Sequence, residues 1–433
     1  MKNYIINEQM NREIRFLGPD DLDDYLPIYL NAYPAGKSIG DEGYAAKKER
    51  SLEIMAKDKG THFVGLYENG NIIATMKLID FTMNVFGKMQ PACGLMALGV
   101  DPMHKKKGAA LDMVKYFEHY TREIGASLAL LLPFRIDFYR KMGYGFETRL
   151  HEYRLPTRNL PKCRDAQNLR ILGKSDFAEI CRVYESYTAA NHGALGKFGE
   201  EARDMEEDTE VRRIGYAQDG KLKGYVAFHF ASDNEENYTI NRMEVDEIIY
   251  ENGKVFRALL GGLRLQADLA QTVVLRTGEE DFYHLLEDPQ DIGLHYIPFG
   301  YLQTNVSAIG VMHKIVDVEK FIEDTKHRRF LPMELTVGFE YEDAMKHEIE
   351  TLALKFTKYD DGKASHWSMA TQDTKPEVMI ECTQAEFGSI LMGSCSVAAL
   401  ARMDVIRISD EAYIETLDYL FHYKQHAFTN TDF

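Results

Sequence analysis

The chain has 433 residues, 45% of them hydrophobic, and a formal net charge of -17 at pH 7. The length exceeds one typical domain, and the apolar content excludes a disordered or low-complexity class. The acidic balance argues against a nucleic-acid partner and favours cationic small molecules. The five cysteines, at 93, 163, 181, 382 and 395, show no C-x-x-C or Cys/His spacing. Neither a disulfide framework nor a metal site is therefore expected. No apolar segment reads as a secretory signal or a bilayer span, so the expected location is cytoplasmic, away from membranes.

In chain order, residues 13–29, EIRFLGPDDLDDYLPIY, predict a short strand, a turn with Asp20 or Asp21 as N-cap, and an amphipathic helix. Residues 63–78, FVGLYENGNIIATMKL, read as two strands joined at Asn69-Gly70, a strong hairpin signal. Another strand runs to Val100. Then comes LGVDPMHKKKGAA, residues 98–110. Pro102 ends the strand by removing a ladder donor, Gly108 lets backbone approach a ligand, and an apolar helix face begins at Ala110. Strand, basic loop and helix N-terminus together aim backbone N–H groups at a phosphate. Residues 127–133, SLALLLP, read as a central strand. A mixed sheet flanked by helices is expected.

The pattern then repeats. NLRILGKSDFAEICRVY (168–184) aligns without a gap on residues 13–29, pairing Arg15 with Arg170, Gly18 with Gly173, Asp21 with Asp176 and Tyr29 with Tyr184. The hairpin recurs as well, Gly220 matching Gly70. A duplicated domain follows. The second copy lacks the loop: MEVDEIIYENGKVFRA (243–258) has no proline, no lysine cluster, and places Glu247 and Glu251 where they would repel a pyrophosphate. From about residue 313 the pattern changes. VDVEKFIE reads as a linker helix, three strand-like runs follow, AEFGSILMGSCSVAALARM reads as one apolar helical segment, and DEAYIETLDYLF as a final helix.

The order V-x-P-x-x-[QR]-x-x-G-x-[AG] resembles the acetyl-CoA loop of the GNAT acetyltransferases, carried here by Val100, Pro102, Lys105, Gly108 and Ala110. Lys105 stands where that family has Gln or Arg. DFYRKMGYGFET (137–148) resembles its Y-x-x-x-G-[FY] segment through Tyr139, Gly143 and Tyr144. With VMHKIVDVEKFIE, ILMGSCSVAALA and the closing Asp432-Phe433, the whole chain resembles the bacterial "enhanced intracellular survival" (Eis) acetyltransferases.

That resemblance implies an α/β (α+β) fold of tandem GNAT acyltransferase domains, the second degenerate, followed by a sterol-carrier-protein-like α+β domain. The expected boundaries are 1–158, 159–312 and 313–433. It implies acetyl transfer from acetyl-CoA to primary amines, aminoglycosides included, by a homo-oligomer, specifically a hexamer. Tyr139 is the implied general acid and the α-carboxylate of Phe433 the general base. Cofactor contacts fall on Leu98, Gly99, Val100, Lys105, Lys106, Lys107, Gly108, Ala109, Ala110 and Leu111, and on Phe134 and Arg135. Asp432 is a candidate for holding a substrate amine.

The chemistry is consistent with those roles. An ammonium has no lone pair, so a base must take its proton before attack. A phenol with a reference pKa of about 10 is protonated and can donate to a departing thiolate, whereas a terminal carboxylate near 3.5 is ionised. Two rival readings are a protein-lysine or polyamine acetyltransferase, and a lipid carrier with a vestigial acetyltransferase site.

Overall fold

The computed structural model describes residues 4–34, 40–234, 236–293, 297, 299–371 and 373–433, apart from the Asp41 side chain. The first copy contributes β1 (Tyr4–Asn7), β2 (Arg12–Phe16), β3 (Thr61–Glu68), β4 (Asn71–Val85), β5 (Lys88–Val100), β6 (Leu128–Leu131) and β7 (Gly145–Phe146). Helices α1 (Leu22–Ala32), α2 (Asp41–Lys57), α3 (Ala109–Glu123) and α4 (Ile136–Arg140) pack around them. The second copy repeats the plan with β8 (Arg149–Pro156), β9 (Leu169–Leu172), β10 (Arg212–Gln218), β11 (Lys221–Ser232), β12 (Asn241–Tyr250), β13 (Thr272–Thr277) and β14 (Val306–Ile309). Its helices are α5 (Phe177–Ala190), α6 (Gly199–Glu207) and α7 (Gly253–Arg264).

The duplication holds atom for atom at its two signatures. Arg15 pairs with Asp21 at 3.1 Å and Arg170 with Asp176 at 2.8 Å. The same aspartates accept from the Gly18 and Gly173 N–H groups at 2.8 and 2.9 Å. Both hairpins turn through two residues of positive φ, Asn69-Gly70 and Asp219-Gly220, as a tight turn matched to strand twist requires.

The last part of the chain contains β15 (Met312–Ile315), α8 (Val318–Asp324), β16 (Leu335–Asp343), β17 (Glu348–Lys358), β18 (Ser365–Met369), β19 (Val378–Glu381) and β20 (Arg407–Ile408). Its further helices are α9 (Gln384–Met392), α10 (Val397–Arg402) and α11 (Ile414–Phe421). The apolar segment expected as one helix is broken in two, because Gly393 takes φ +72° and caps α9. Among the described residues no helix is long and apolar enough to cross a membrane.

The sheets exchange strands across the boundaries expected at 158 and 312. The first sheet runs β1-β2-β3-β4-β5-β6-β15-β7, so β15 enters it from beyond the second copy. The second sheet runs β14-β8-β13-β12-β11-β10-β9 and takes β8 from before residue 158. The reason is backbone satisfaction: buried β6 needs a partner on its open edge, and β15 pairs with all of it, Met312 opposite Leu131 and Ile315 opposite Leu128. Lys314 in this buried strand is neutralised by Glu118 at 2.9 Å and donates to the Met142 carbonyl at 2.9 Å. The third sheet, β18-β17-β16-β19-β20, shares one apolar cluster with the first. That cluster runs from Phe81 and Leu130 through Phe339 and Trp367 to Phe421 and Phe433. The two copies are bonded directly too: Gly193 donates to the Asn84 carbonyl, and Gly196 to that of Thr82.

Candidate active site

The site begins where β5 and β6 part. They pair in parallel over only Cys93–Leu95 and Ala129–Leu131. Beyond Leu95 the register of β5 against β4 shifts between Thr75 and Lys77, and Ala97 takes φ +56°. The bulge turns Met96–Val100 away from β6 and opens a wedge between the strands. One backbone acceptor in the wedge is engaged: Tyr33, just beyond α1, donates to the Leu98 carbonyl at 3.0 Å. Gly99 is needed there because a Cβ would lie 2.9 Å from that of Ala32.

The wedge leads into the basic loop. Asp101 caps a short turn at Pro102–His104, accepting from the Met103 N–H at 2.8 Å and contacting the His104 ring at 3.0 Å. Lys106 and Gly108 both lie at positive φ, +63° and +84°, folding the loop over the start of α3. Lys105, Lys106, Lys107 and Gly108 are exposed, Ala109 is buried, and Ala110 and Leu111 are half-buried. Among the described residues no ion pair engages the three lysines. The loop is held from beneath by Arg12, only 1% exposed. It donates to the Lys107 carbonyl at 3.0 Å and pairs with Asp112 and Glu68, each at 2.8 Å. Sequence reading missed Arg12, because an arginine within REIRF reads as a solvent-facing strand residue. A carbonyl carrying no side-chain signal is its target.

Tyr139 lies on α4 at 6% exposure, with its ring against Tyr144 at 5.9 Å. Burial, aided by nearby Tyr33, pushes its phenol above the ordinary value, so it stays protonated at neutral pH. Phe134 and Arg135 sit at the rim: Phe134 is 81% exposed with its ring 6.2 Å from Tyr33, and Arg135 is paired with Asp137 at 2.5 Å.

Phe433 is 9% exposed. Its ring meets Phe81 of β4 edge-on at 4.9 Å, and a Cβ on Gly94 would lie 3.0 Å from it. Phe433 thus reaches the sheet at the last stretch where β5 and β6 pair. It belongs to the cluster on the face of Phe81, Ala92 and Leu130, whereas Tyr139 belongs to that of Cys93, Leu95 and Leu131. The two candidates flank the paired strands from opposite faces. Thr431 is buried and contacts the Tyr184 hydroxyl at 3.0 Å, while Asp432 is exposed. Beside the tail lies a group that sequence reading missed. Lys197 contacts Glu201 at 2.8 Å and Glu247 at 3.3 Å, and burial pushes the Glu201 carboxyl up to about 7.

The second copy lacks this arrangement for a reason other than the expected one. Glu247 is buried in β12, accepting from the Tyr225 hydroxyl at 2.7 Å, and Glu251 pairs with Lys223 at 2.8 Å. What removes the loop is length. Residues 101–108 separate β5 from α3, but only 251–252 separate β12 from α7.

Residues 13–146 match an acetyltransferase (GNAT) domain family, and residues 197–302 match a second family of the same description. A 240-residue stretch is 23% identical to an uncharacterised N-acetyltransferase of Streptomyces avermitilis, over 52% of this chain. The match spans 57% of that relative's length. A probable N-acyltransferase from Enterococcus faecalis V583 superposes with a TM-score of 0.76 at 17% identity, over 98% of this chain and 99% of its own. Eis1 from Mycobacterium abscessus does so with a TM-score of 0.74 at 21% identity, over 98% and 100%. At these identities the structural likeness is one of fold. The two domain matches place acetyltransferase (GNAT) domains at residues 13–146 and 197–302.

Proposed function

The chain carries two acetyltransferase (GNAT) domains, and from that premise we propose that the first is an acetyl-CoA-dependent amine N-acetyltransferase of the Eis kind and the second is degenerate. GNAT acetyltransferases use acetyl-CoA, and the residues here suit it. The wedge after Leu95 presents backbone edge to an extended ligand arm. The loop, with positive φ at Lys106 and Gly108 and three lysines that no ion pair engages among the described residues, suits a pyrophosphate at the start of α3. Leu98–Val100, Lys105–Leu111, Phe134 and Arg135 are the proposed contacts.

In this reading the Phe433 carboxylate takes the proton of the acceptor ammonium. The amine nitrogen then attacks the thioester carbonyl and the C–S bond breaks; Tyr139 gives its proton to the leaving thiolate, and the proton shed by the new amide nitrogen returns through solvent to the phenolate. The observation that carries the proposal is the burial of the last residue against Gly94 and Phe81, where β5 and β6 are about to part. A chain end is ordinarily frayed, whereas the ring of Phe433 is buried against the face of the sheet. Asp432, exposed beside it, is proposed to hold a second ammonium of a polycationic acceptor such as an aminoglycoside, in keeping with the acidic chain. Polyamines and protein lysines are the competing acceptors. The proposal extends to boundaries near those read from sequence, a sterol-carrier-like last domain, a homo-hexamer and a cytoplasmic location.

The test is thiol release from acetyl-CoA with a panel of aminoglycosides, linear polyamines and lysine peptides. Turnover greatest on aminoglycosides supports the reading. Turnover confined to lysine peptides overturns its acceptor, and none with any amine overturns the activity.

A further inference from the structure

We propose that the second copy's counterpart of the cofactor wedge is a seat for the chain's own C-terminal tail, which fixes where Phe433 stands. This rests on the reading of Phe433 as the base.

The correspondence follows from pairing. β12 and β13 run parallel over only Arg242–Glu244 and Thr272–Val274, as β5 and β6 do over three residues, and then diverge. Val100 pairs with Ala74 in the first copy and Tyr250 with Gly224 in the second, so Tyr250 stands at the mouth of the second wedge. That mouth is shut. The Tyr250 hydroxyl donates to Glu279 at 2.7 Å, bridging the strand ends, and its ring stacks on Phe256 at 4.3 Å. A carboxylate and two aromatic rings fill what the first copy leaves open to a phosphate.

The remaining space, a cavity of about 320 Å³, is lined by Ile248, Tyr250 and residues 276–281 on one side and by tail residues 422–426, Phe428 and Asn430 on the other. The tail is fitted to it. Gly278 has no room for a Cβ because the Phe428 ring occupies that place. A Cβ on Gly193 would lie 2.5 Å from the Phe428 nitrogen. The Phe428 N–H donates to the His192 carbonyl at 3.1 Å, Gln425 to Asn191 at 2.7 Å, and His426 contacts Glu280 at 3.1 Å. Tyr184, the counterpart of Tyr29, meets Thr431 at 3.0 Å. From the seat at Phe428 to the sheet at Phe433 the chain has five residues in which to stray. A reacting group displaced by about 1 Å loses on the order of a hundredfold in rate, so the seat sets the rate by positioning. Gly278, Gly193 and Tyr184 are positioning residues.

The experiment compares Gly278→Ala, Phe428→Ala and the double variant in the full chain. Acetyl-CoA binding, hydrogen exchange of residues 423–433 and turnover are measured on each. The expected result is faster exchange of the tail and kcat lower by about a hundredfold in either single variant, with acetyl-CoA affinity unchanged. The double variant, which restores the fit, should recover much of the turnover. Faster tail exchange with undiminished turnover supports the seat and overturns the base. Unchanged tail exchange in both single variants overturns the seat. Phe428→Ala, whose ring lies on the tail, keeps the test decisive if Gly278→Ala fails to fold.

Discussion

The ring of Phe433 meets that of Phe81 edge-on at 4.9 Å, so the last residue of the chain rests on the central β4 strand of its first domain. Every later part of the molecule contributes to that contact. The second copy holds the approaching tail through Tyr184 and Thr431. The last domain starts the tail at Phe421 and His422, whose carbonyls accept from buried Arg328 at 2.7 and 3.3 Å.

Tyr139→Phe removes one oxygen from a ring packed on Tyr144, so the fold should hold. General-acid catalysis contributes about a hundredfold or more, and kcat should fall by that amount while acetyl-CoA affinity stays level. Steady-state kinetics alongside calorimetric titration checks this. An unchanged kcat would assign Tyr139 to packing.

Arg12→Ala leaves Asp112 and Glu68 without their cation and frees the Lys107 carbonyl. Removing one partner of a buried ion pair costs about 3 kcal/mol. The variant should melt at lower temperature and bind acetyl-CoA more weakly, and Arg12→Lys, which cannot span three acceptors, should not restore either. Thermal melts and titration decide it.

Replacing Lys105, Lys106 and Lys107 together by Gln should weaken acetyl-CoA binding about tenfold at low salt, at roughly 0.5 kcal/mol per exposed charge. The deficit should shrink as salt screens the native lysines. A deficit independent of salt would mean that the lysines act through loop shape.

Burial pushes the Glu147 carboxyl up to about 8 from an ordinary 4.5, with His313 3.7 Å away and itself pushed down to about 4 by burial. A raised carboxyl is held protonated by the folded state. Its contribution is complete below about pH 4.5 and is lost as pH rises through 8. His313 acts in the opposite sense, and only below its ordinary 6.5. Between pH 6.5 and 8 the stability of the native chain should therefore fall by up to about 1.4 kcal/mol per pH unit, and Glu147→Gln should flatten that slope. Denaturant melts across the window measure it.

The duplication was readable because its marks are local: Gly18 and Gly173 with their aspartates, and two hairpin turns that demand positive φ. The loop was readable for the same reason, since Pro102 and Gly108 act on the backbone they belong to. The strand exchange was not. β7 and β15 are too short to show a period, and Lys314 disguises β15 as polar until Glu118 is seen beside it. Neither was the seat for the tail readable, because Gly278 and Phe428 meet only in three dimensions. Glu247 shows the limit of charge reasoning: its sign was plain, and its direction was not.

The most direct measurement is thiol release in single turnovers by the full chain lacking only Phe433, beside calorimetric binding of acetyl-CoA to the same protein. With Phe433 as the base, affinity for acetyl-CoA should stay native and transfer to the amine should slow by about a hundredfold or more. Transfer at the native rate by a folded, acetyl-CoA-binding chain without Phe433 would contradict that role.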